Sequence, residues 1–130
     1  MVNVSSETSG STPETNPDDL TNWLAVPDIM ELTGASLAQV KTWLQERELI
    51  GVRRGPNKAL YVPASFLTEE GPLFALRGTV TVLSDGGYRD EEIIAWLHEA
   101  DDTLPGGSAI ESLRAGSKTE VRRRAQEMAL

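Results

Sequence analysis

The sequence predicts a mainly α-helical fold with one small β-hairpin, and three observations support this class. Two short amphipathic stretches are separated by Gly34, two β-prone runs then flank a Gly/Pro/Asn turn, and helical patterns return after residue 63. A helix, a turn, a second helix and a hairpin follow one another in a winged helix-turn-helix. We therefore expect a winged helix-turn-helix at residues 20–67, followed by a helical C-terminal part at residues 68–130 that packs on it.

The first helical pattern follows a short extended stretch, Trp23–Ala25, and contains Pro27 in its first turn, where proline is tolerated. Gly34 is expected to end this helix, because glycine adopts the left-handed conformation that helix C-termini need. Ser36 then caps a second helix, and Gln39 completes the pattern of a capping box. Helical spacing predicts one buried stripe on this second helix: Leu37, Val40 and Leu44.

The opposite face of the second helix is predicted to read DNA bases. Its side chains are small or polar and include hydrogen-bond donors and acceptors, which suit the base edges of a major groove. The residues that we expect to contact DNA on this helix and its cap are Ser36, Ala38, Gln39, Lys41, Thr42 and Gln45.

The predicted hairpin carries a cluster of basic side chains. Its two runs, residues 52–54 and 59–62, flank a turn with the sequence GPNK. We expect four residues of this wing to contact DNA, with the cations holding phosphates or entering a minor groove: Arg53, Arg54, Asn57 and Lys58.

The net charge of −8 opposes binding to nucleic acid, but the charge is unevenly distributed. Residues 36–62 carry +3, from five basic and two acidic residues, and residues 113–130 carry another +3. Residues 1–19 carry −4, residues 20–35 carry −2 and residues 68–112 carry −8. The predicted reading surface is therefore one of two basic regions in an acidic chain.

The C-terminal part contains one ambiguous stretch, residues 73–83. Its segment TVTV favours a strand, whereas the spacing of its apolar residues fits a helix, and we favour the helix because no partner strand is evident nearby. Asp90 is expected to cap a helix that runs to His98, and Ser108 to cap another.

The last helix, which opens at Ser117 or Lys118, carries an apolar stripe and three arginines at positions 122–124. It could close the core, pair with a second subunit or touch the DNA backbone. The first two roles are favoured, because no base-reading face accompanies the arginines.

Residues 1–19 form a tail that is predicted to be disordered. The tail is acidic, rich in Ser and Thr, and has almost no apolar residues whose burial would offset the entropy of ordering. It is either a solubilising tail or a phosphoacceptor whose added negative charge would oppose DNA binding. The candidate phosphorylation sites are Thr8, Thr12 and Thr15.

No enzyme constellation is evident, and we expect no catalytic residue, metal or cofactor. Cysteine is absent and His98 is the single histidine; we expect it at the surface or facing a helix dipole. The carboxylates at 90–92 and 99–102 match no calcium-loop spacing, and the first group suits a helix start. The sequence shows neither a secretory signal nor an apolar run that could span a bilayer, so we expect a cytoplasmic protein without membrane contact.

Two resemblances rest on particular segments. Residues 24–36 (LAVPDIMELTGAS), 40–44 (VKTWL) and 52–55 (VRRG) resemble winged helix-turn-helix modules of the excisionase and MerR types. Residues 83–93 (LSDGGYRDEEI), 96–97 (WL) and 120–129 (EVRRRAQEMA) resemble an actinobacterial family of small winged-helix DNA-binding regulators. That family includes the mycobacterial substrate of the membrane Ser/Thr kinase PknL.

The resemblance implies a winged helix, a helical C-terminal part, a helix rather than a strand around residues 79–83, and DNA binding controlled by phosphorylation of an N-terminal threonine. The expected partners are double-stranded DNA, a Ser/Thr kinase and a second copy of the chain, and the expected role is transcription regulation. The alternative is a protein-interaction adaptor that uses the acidic 68–112 block and the last helix.

Overall fold

The computed structural model describes residues 22–130; the predicted tail, with Thr8, Thr12 and Thr15, lies outside the described residues. The elements, in chain order, are β1 (Trp23–Ala25), α1 (Val26–Thr33), α2 (Leu37–Gln45), β2 (Val52–Arg54), β3 (Ala59–Pro63), β4 (Leu67–Thr68), β5 (Gly71–Pro72), α3 (Leu76–Asp85), α4 (Asp90–His98), α5 (Ala109–Arg114) and α6 (Lys118–Met128). Short 3-10 turns occur at Ala64–Phe66 and Pro105–Gly107. The predicted fold class, mainly helical with a small wing, is confirmed.

The two helices α1 and α2 form the helix-turn-helix. Gly34, with a φ of 76°, ends α1, and its amide donates a hydrogen bond to the carbonyl oxygen of Met30. The Oγ atom of Ser36 accepts a hydrogen bond from the Gln39 amide at 3.1 Å, so the predicted cap of α2 is confirmed. A serine cap of this kind stabilises a helix by about 1 kcal/mol.

The predicted buried stripe of α2 is wrong at its first position. Val40 is fully buried and Leu44 is half-buried, but 46% of Leu37 is exposed to solvent. Leu37 is the first residue of α2, and its neighbours Ser36 and Ala38 are also exposed, so no element covers this end of the helix.

The wing belongs to a three-stranded antiparallel sheet with the strand order β1-β3-β2. Strands β2 and β3 form the predicted hairpin, in which Arg53 lies opposite Leu60. Strand β1 pairs with the other edge of β3, with Trp23 opposite Pro63. A side chain at Gly51 would overlap the carbonyl oxygen of Tyr61, so glycine is needed where the chain enters this sheet.

The C-terminal part contains four α-helices, and residues 76–83 of the ambiguous stretch are helical, as predicted. Helix α6 packs on α3 and buries Val121 and Ala125 completely, so the last helix closes the core. None of the helices within residues 22–130 is both long enough and apolar enough to cross a membrane.

One hydrophobic core runs through both parts of the chain. Ile29, Val40 and Val62 of the winged helix-turn-helix belong to the same buried cluster as Leu83 and Leu97 of the C-terminal helices. Burying such a side chain stabilises the fold by about 1.5–3 kcal/mol. The C-terminal helices therefore support the winged helix-turn-helix through shared core packing.

His98 lies between the two parts of the chain, half-buried in the last turn of α4, which is the second of the two positions expected for it, facing the helix dipole rather than at the surface. Its Nδ1 atom donates to the carbonyl oxygen of Ile94 at 2.8 Å, and its Nε2 atom accepts from the Oγ of Ser65 at 2.6 Å. Its ring stacks on Phe66, with 5.6 Å between ring centroids. Burial disfavours the charged ring and lowers the pKa of His98 below its ordinary value, which favours the neutral imidazole, in which Nδ1 donates and Nε2 accepts.

This environment makes folding stability depend on pH. Below the ordinary histidine pKa of 6.5 the unfolded chain binds a proton at His98, while the folded chain keeps the ring neutral to lower pH. The unfolded state then binds more protons, so the free energy of unfolding falls as the pH drops below about 6.5. We expect the wild type to lose more free energy of unfolding between about pH 7.5 and 5.5 than His98→Gln, whose amide can also donate and accept. Urea denaturation measures both losses, and equal losses would contradict the assignment.

Candidate nucleic-acid interface

The predicted reading face of α2 is exposed along its whole length, from Ser36 to Gln45. Two of its hydroxyl groups are already engaged: Ser36 caps the helix, and the Oγ1 of Thr42 donates to the carbonyl oxygen of Ala38 at 3.0 Å. Within residues 22–130, the side chains with no hydrogen bond or ion pair on this face are those of Gln39, Lys41 and Gln45. The polar ends of these three side chains are therefore available to a ligand.

The tip of the wing is a tight turn that presents two cations. The Lys58 amide donates to the carbonyl oxygen of Gly55 at 3.1 Å, and both residues have a positive φ, 52° and 82° respectively. The Arg53 guanidinium donates one hydrogen bond to the Lys58 carbonyl oxygen at 3.1 Å, which holds the guanidinium beside the turn. Arg53, Asn57 and Lys58 are exposed, as the prediction of a DNA contact requires.

Arg54 lies apart from the other predicted wing residues. Successive side chains of a strand point to opposite faces, so Arg54 cannot share the face of Arg53. Its guanidinium lies 3.2 Å from the Glu91 carboxylate at the start of α4, and 24% of the side chain is exposed. Arg54 therefore links the wing to the C-terminal helices.

Arg47 makes the second link between these two parts, directly after α2. Its guanidinium donates two hydrogen bonds to the Asp90 carboxylate, each of 2.8 Å, and approaches the Ser84 hydroxyl at 3.5 Å. The backbone of Arg47 has a φ of 63°, which is uncommon for a residue with a side chain. The pair fixes the C-terminal end of α2 against the turn between α3 and α4.

Sequence reasoning missed this pair. Arg47 counted only as part of the basic region, and Asp90 was predicted to cap α4. The residue at the cap position is Arg89, whose amide is bound by the Glu92 carboxylate at 2.9 Å, while Asp90 is the first helical residue. That hydrogen bond also lowers the pKa of Glu92. Asp90 is thereby free to bind Arg47, which is 43 positions away in the sequence.

Asp101, another of the carboxylates singled out in the sequence, also has partners inside the chain. Asp101 accepts hydrogen bonds from the amide and hydroxyl of Thr103 and lies 3.3 Å from the Arg124 guanidinium. The hydrogen bonds from Thr103 lower the pKa of Asp101. These acids hold loops and helix ends in place.

Comparison with known proteins places this geometry in a family. The family model described as the wHTH domain of the DNA-binding protein Rv2175c matches residues 15–67, and the model described as the Rv2175c C-terminal domain of unknown function matches residues 74–129. The DNA-binding protein Rv2175c of Mycobacterium tuberculosis (strain ATCC 25618 / H37Rv) is 36% identical over 126 residues, covering 88% of this chain and 84% of that protein. The chain belongs to the Rv2175c family. The resemblance expected from the sequence is confirmed.

The fold agrees with this membership. The NMR structure of Rv2175c matches with a TM-score of 0.74 at 30% identity, over 98% of this chain and 100% of that chain. The exposed face of α2 and the wing lie in the segment that matches the wHTH domain of the Rv2175c family, whereas α3 to α6 lie in or beside the segment whose function is unknown.

The coupling between Arg47 and Asp90 can be measured by a double-mutant cycle. Arg47→Gln, Asp90→Asn and the double variant remove the charges with little change in size. We expect a coupling of about 0.5–1 kcal/mol, since more than a third of both side chains is exposed and solvent screens the pair. Urea denaturation gives the four stabilities, and the coupling should decrease at high salt. A coupling of zero at low salt would show that the pair does not fix α2.

Proposed function

We propose that this chain binds double-stranded DNA, with α2 in the major groove and the β2–β3 wing on the backbone. The observation that carries the proposal is the set of free polar side chains on α2, Gln39, Lys41 and Gln45. These three side chains follow the capped N-terminus of α2. The wing comes after α2 in the chain, and its Arg53 and Lys58 side chains are exposed. The relative from Mycobacterium tuberculosis is itself named a DNA-binding protein, which supports the same reading.

The electrostatics of the proposed surface rest on Lys41, Arg53 and Lys58. Arg47 and Arg54 are paired with acids of α4, so they add little to the attraction for phosphates. Each phosphate that the three cations neutralise would release counterions, and affinity would fall steeply as the salt concentration rises. The same ion pairs also neutralise Asp90 and Glu91, the acids that would otherwise repel DNA from this side.

The polar chemistry of α2 suits base reading. A glutamine amide can donate to the N7 atom of adenine and accept from its N6 amino group, and a lysine can donate to guanine. Each good pair of this kind discriminates against the wrong base by about 1–3 kcal/mol. In the proposal Gln39, Lys41 and Gln45 select the site, with Ser36, Ala38 and Thr42 in supporting contact, while Arg53, Asn57 and Lys58 hold the backbone. In the proposal Arg54 does not contact DNA but supports the wing through its ion pair with Glu91.

The proposed role is transcription regulation in the cytoplasm, with the N-terminal tail as the regulated element. Phosphorylation of Thr8, Thr12 or Thr15 by a Ser/Thr kinase would add about −1.5 to −2 charges per site and oppose the approach of DNA. One recognition helix reads only a few base pairs, so a homodimer on two half-sites fits the role.

The competing proposal is an adaptor that uses the acidic block and the last helix. It is weakened by the internal partners of those charges. Asp90 and Glu91 bind Arg47 and Arg54, and on α6 Arg123 binds Glu120 and Glu127 at 2.6 and 2.8 Å. An adaptor surface built from these groups would have to break existing ion pairs.

The wing contact is tested by Arg53→Ala combined with Lys58→Ala. We expect weaker binding to every duplex sequence and a log–log salt slope that is smaller by about 2, because each lost phosphate contact removes about 0.9 from the slope. Fluorescence anisotropy of a labelled duplex at several salt concentrations measures both quantities.

The matched control is Arg89→Ala combined with Arg123→Ala, which removes the same charge from exposed positions on the C-terminal helices. This control should change the slope far less. If the wing and control variants change it equally, net charge rather than the wing governs binding. If no salt-sensitive complex forms at micromolar wild-type protein, the adaptor is favoured.

A further inference from the structure

A cavity of about 340 Å³ lies where the start of α3 meets α6, outside the proposed DNA-reading surface. Three cations line it: Arg77 and Lys118, which are exposed, and Arg122, which is half-buried. Among residues 22–130, Glu48 is the single acid of the lining, so these residues make the cavity positive in a chain whose net charge is −8.

Within the described residues, these three cations have no acid partner, whereas five other arginines do. Arg47, Arg54, Arg89, Arg123 and Arg124 all form ion pairs. Within residues 22–130, Arg77 and Arg122 have neither an ion pair nor a hydrogen bond, and Lys118 has only the face of the Phe74 ring, 4.9 Å from its Nζ. The Nε atom of Arg122 is buried and has no partner. Leaving a buried charged donor unpaired costs free energy, which an anion would offset.

Gly78 makes room for Arg122 beside this cavity. It lies inside α3, where glycine is a poor helix former, and a Cβ there would overlap the Arg122 guanidinium. The absence of a side chain lets the guanidinium lie directly against the backbone of α3. The first turn of α3 adds amide groups to the same place, since Ala75 at the cap position has a φ of 77° and supplies no side-chain cap.

The rim of the cavity carries an exposed aromatic ring. Phe74 is 80% exposed, with Lys118 over its ring. An exposed ring beside a cationic cavity suits a ligand that has an anionic group and an organic part. A volume of about 340 Å³ is near the lower end for small-molecule sites.

We propose that this cavity binds the phosphate group of a small phosphate ester, with Arg77, Lys118 and Arg122 as the phosphate ligands and Phe74 against the organic part. Arginine and lysine side chains are the usual phosphate binders, and the guanidinium fork can hold two phosphate oxygens. The site lies mostly in the segment that matches the domain of unknown function, and it does not depend on DNA binding by α2.

The test is a titration of the ¹⁵N-labelled full chain with AMP, inorganic phosphate and adenosine at constant ionic strength. We expect saturable shifts of the Arg77, Gly78 and Lys118 amides with AMP and with phosphate, tighter binding of AMP, and no such shifts with adenosine. Shifts that equal amounts of chloride reproduce would show screening only and overturn the proposal.

Three variants sharpen the test. Gly78→Ala should keep α3 intact, because alanine is the better helix former, yet displace the Arg122 guanidinium and weaken AMP binding about tenfold. Arg77→Gln should weaken it by a similar factor, whereas the charge-matched Arg89→Gln should leave it unchanged. Equal binding by Gly78→Ala and wild type would exclude Arg122 as a ligand and contradict the proposal.

AMP binding and DNA binding can be tested independently of each other. Arg53→Ala with Lys58→Ala should bind AMP as the wild type does, even if no duplex binds to either protein. If a duplex shifts the same α3 amides, and Arg77→Gln weakens duplex binding as much as AMP binding, the cavity holds a DNA phosphate and the small-ester assignment is wrong.

Discussion

The positions of α2 and the wing, the proposed DNA-binding surface, depend on how α4 holds the winged helix-turn-helix. Asp90 and Glu91, at the start of α4, bind Arg47 directly after α2 and Arg54 in the wing. At the other end of α4, His98 binds Ser65 and stacks on Phe66, and the Arg114 guanidinium of α5 donates to the carbonyl oxygens of Ser65 and Leu67. These contacts, together with the shared core, make the C-terminal helices the support on which α2 and the wing are positioned.

The same contacts explain how an acidic chain can present a basic surface. The net charge of −8 is a sum over the sequence, whereas a ligand meets the field of the side chains that face it. Two acids of α4 are matched by Arg47 and Arg54, and Asp101 and Glu120 share Arg124. Apart from Arg114, which binds backbone carbonyl oxygens, the cations without an acid partner in the described chain fall on two surfaces: the exposed face of α2 with the wing, and the cavity between α3 and α6.

Local features were predictable from the sequence because their causes are local. The Ser36 cap, the Gly34 helix end and the hairpin each depend on residues a few positions apart. Pairing of β1 with β3, the Arg47–Asp90 pair and the burial of His98 join distant segments, and no local pattern encodes them. Leu37 fits the helical spacing of a buried stripe but lies at an end of α2 that nothing covers. Arg53 and Arg54 are adjacent in sequence and look equivalent there. In the structure, strand β2 places their side chains on opposite faces, so only Arg54 reaches Glu91.

The proposal places DNA on the exposed face of α2 and on the wing. The most direct measurement is the change in backbone amide chemical shifts of the ¹⁵N-labelled chain on adding a duplex selected from a random pool. We expect the largest changes in residues 37–45 and 52–60, with small changes in α5 and the C-terminal half of α6. Changes confined to α4, α5 and α6, with residues 37–45 unaffected, would contradict it.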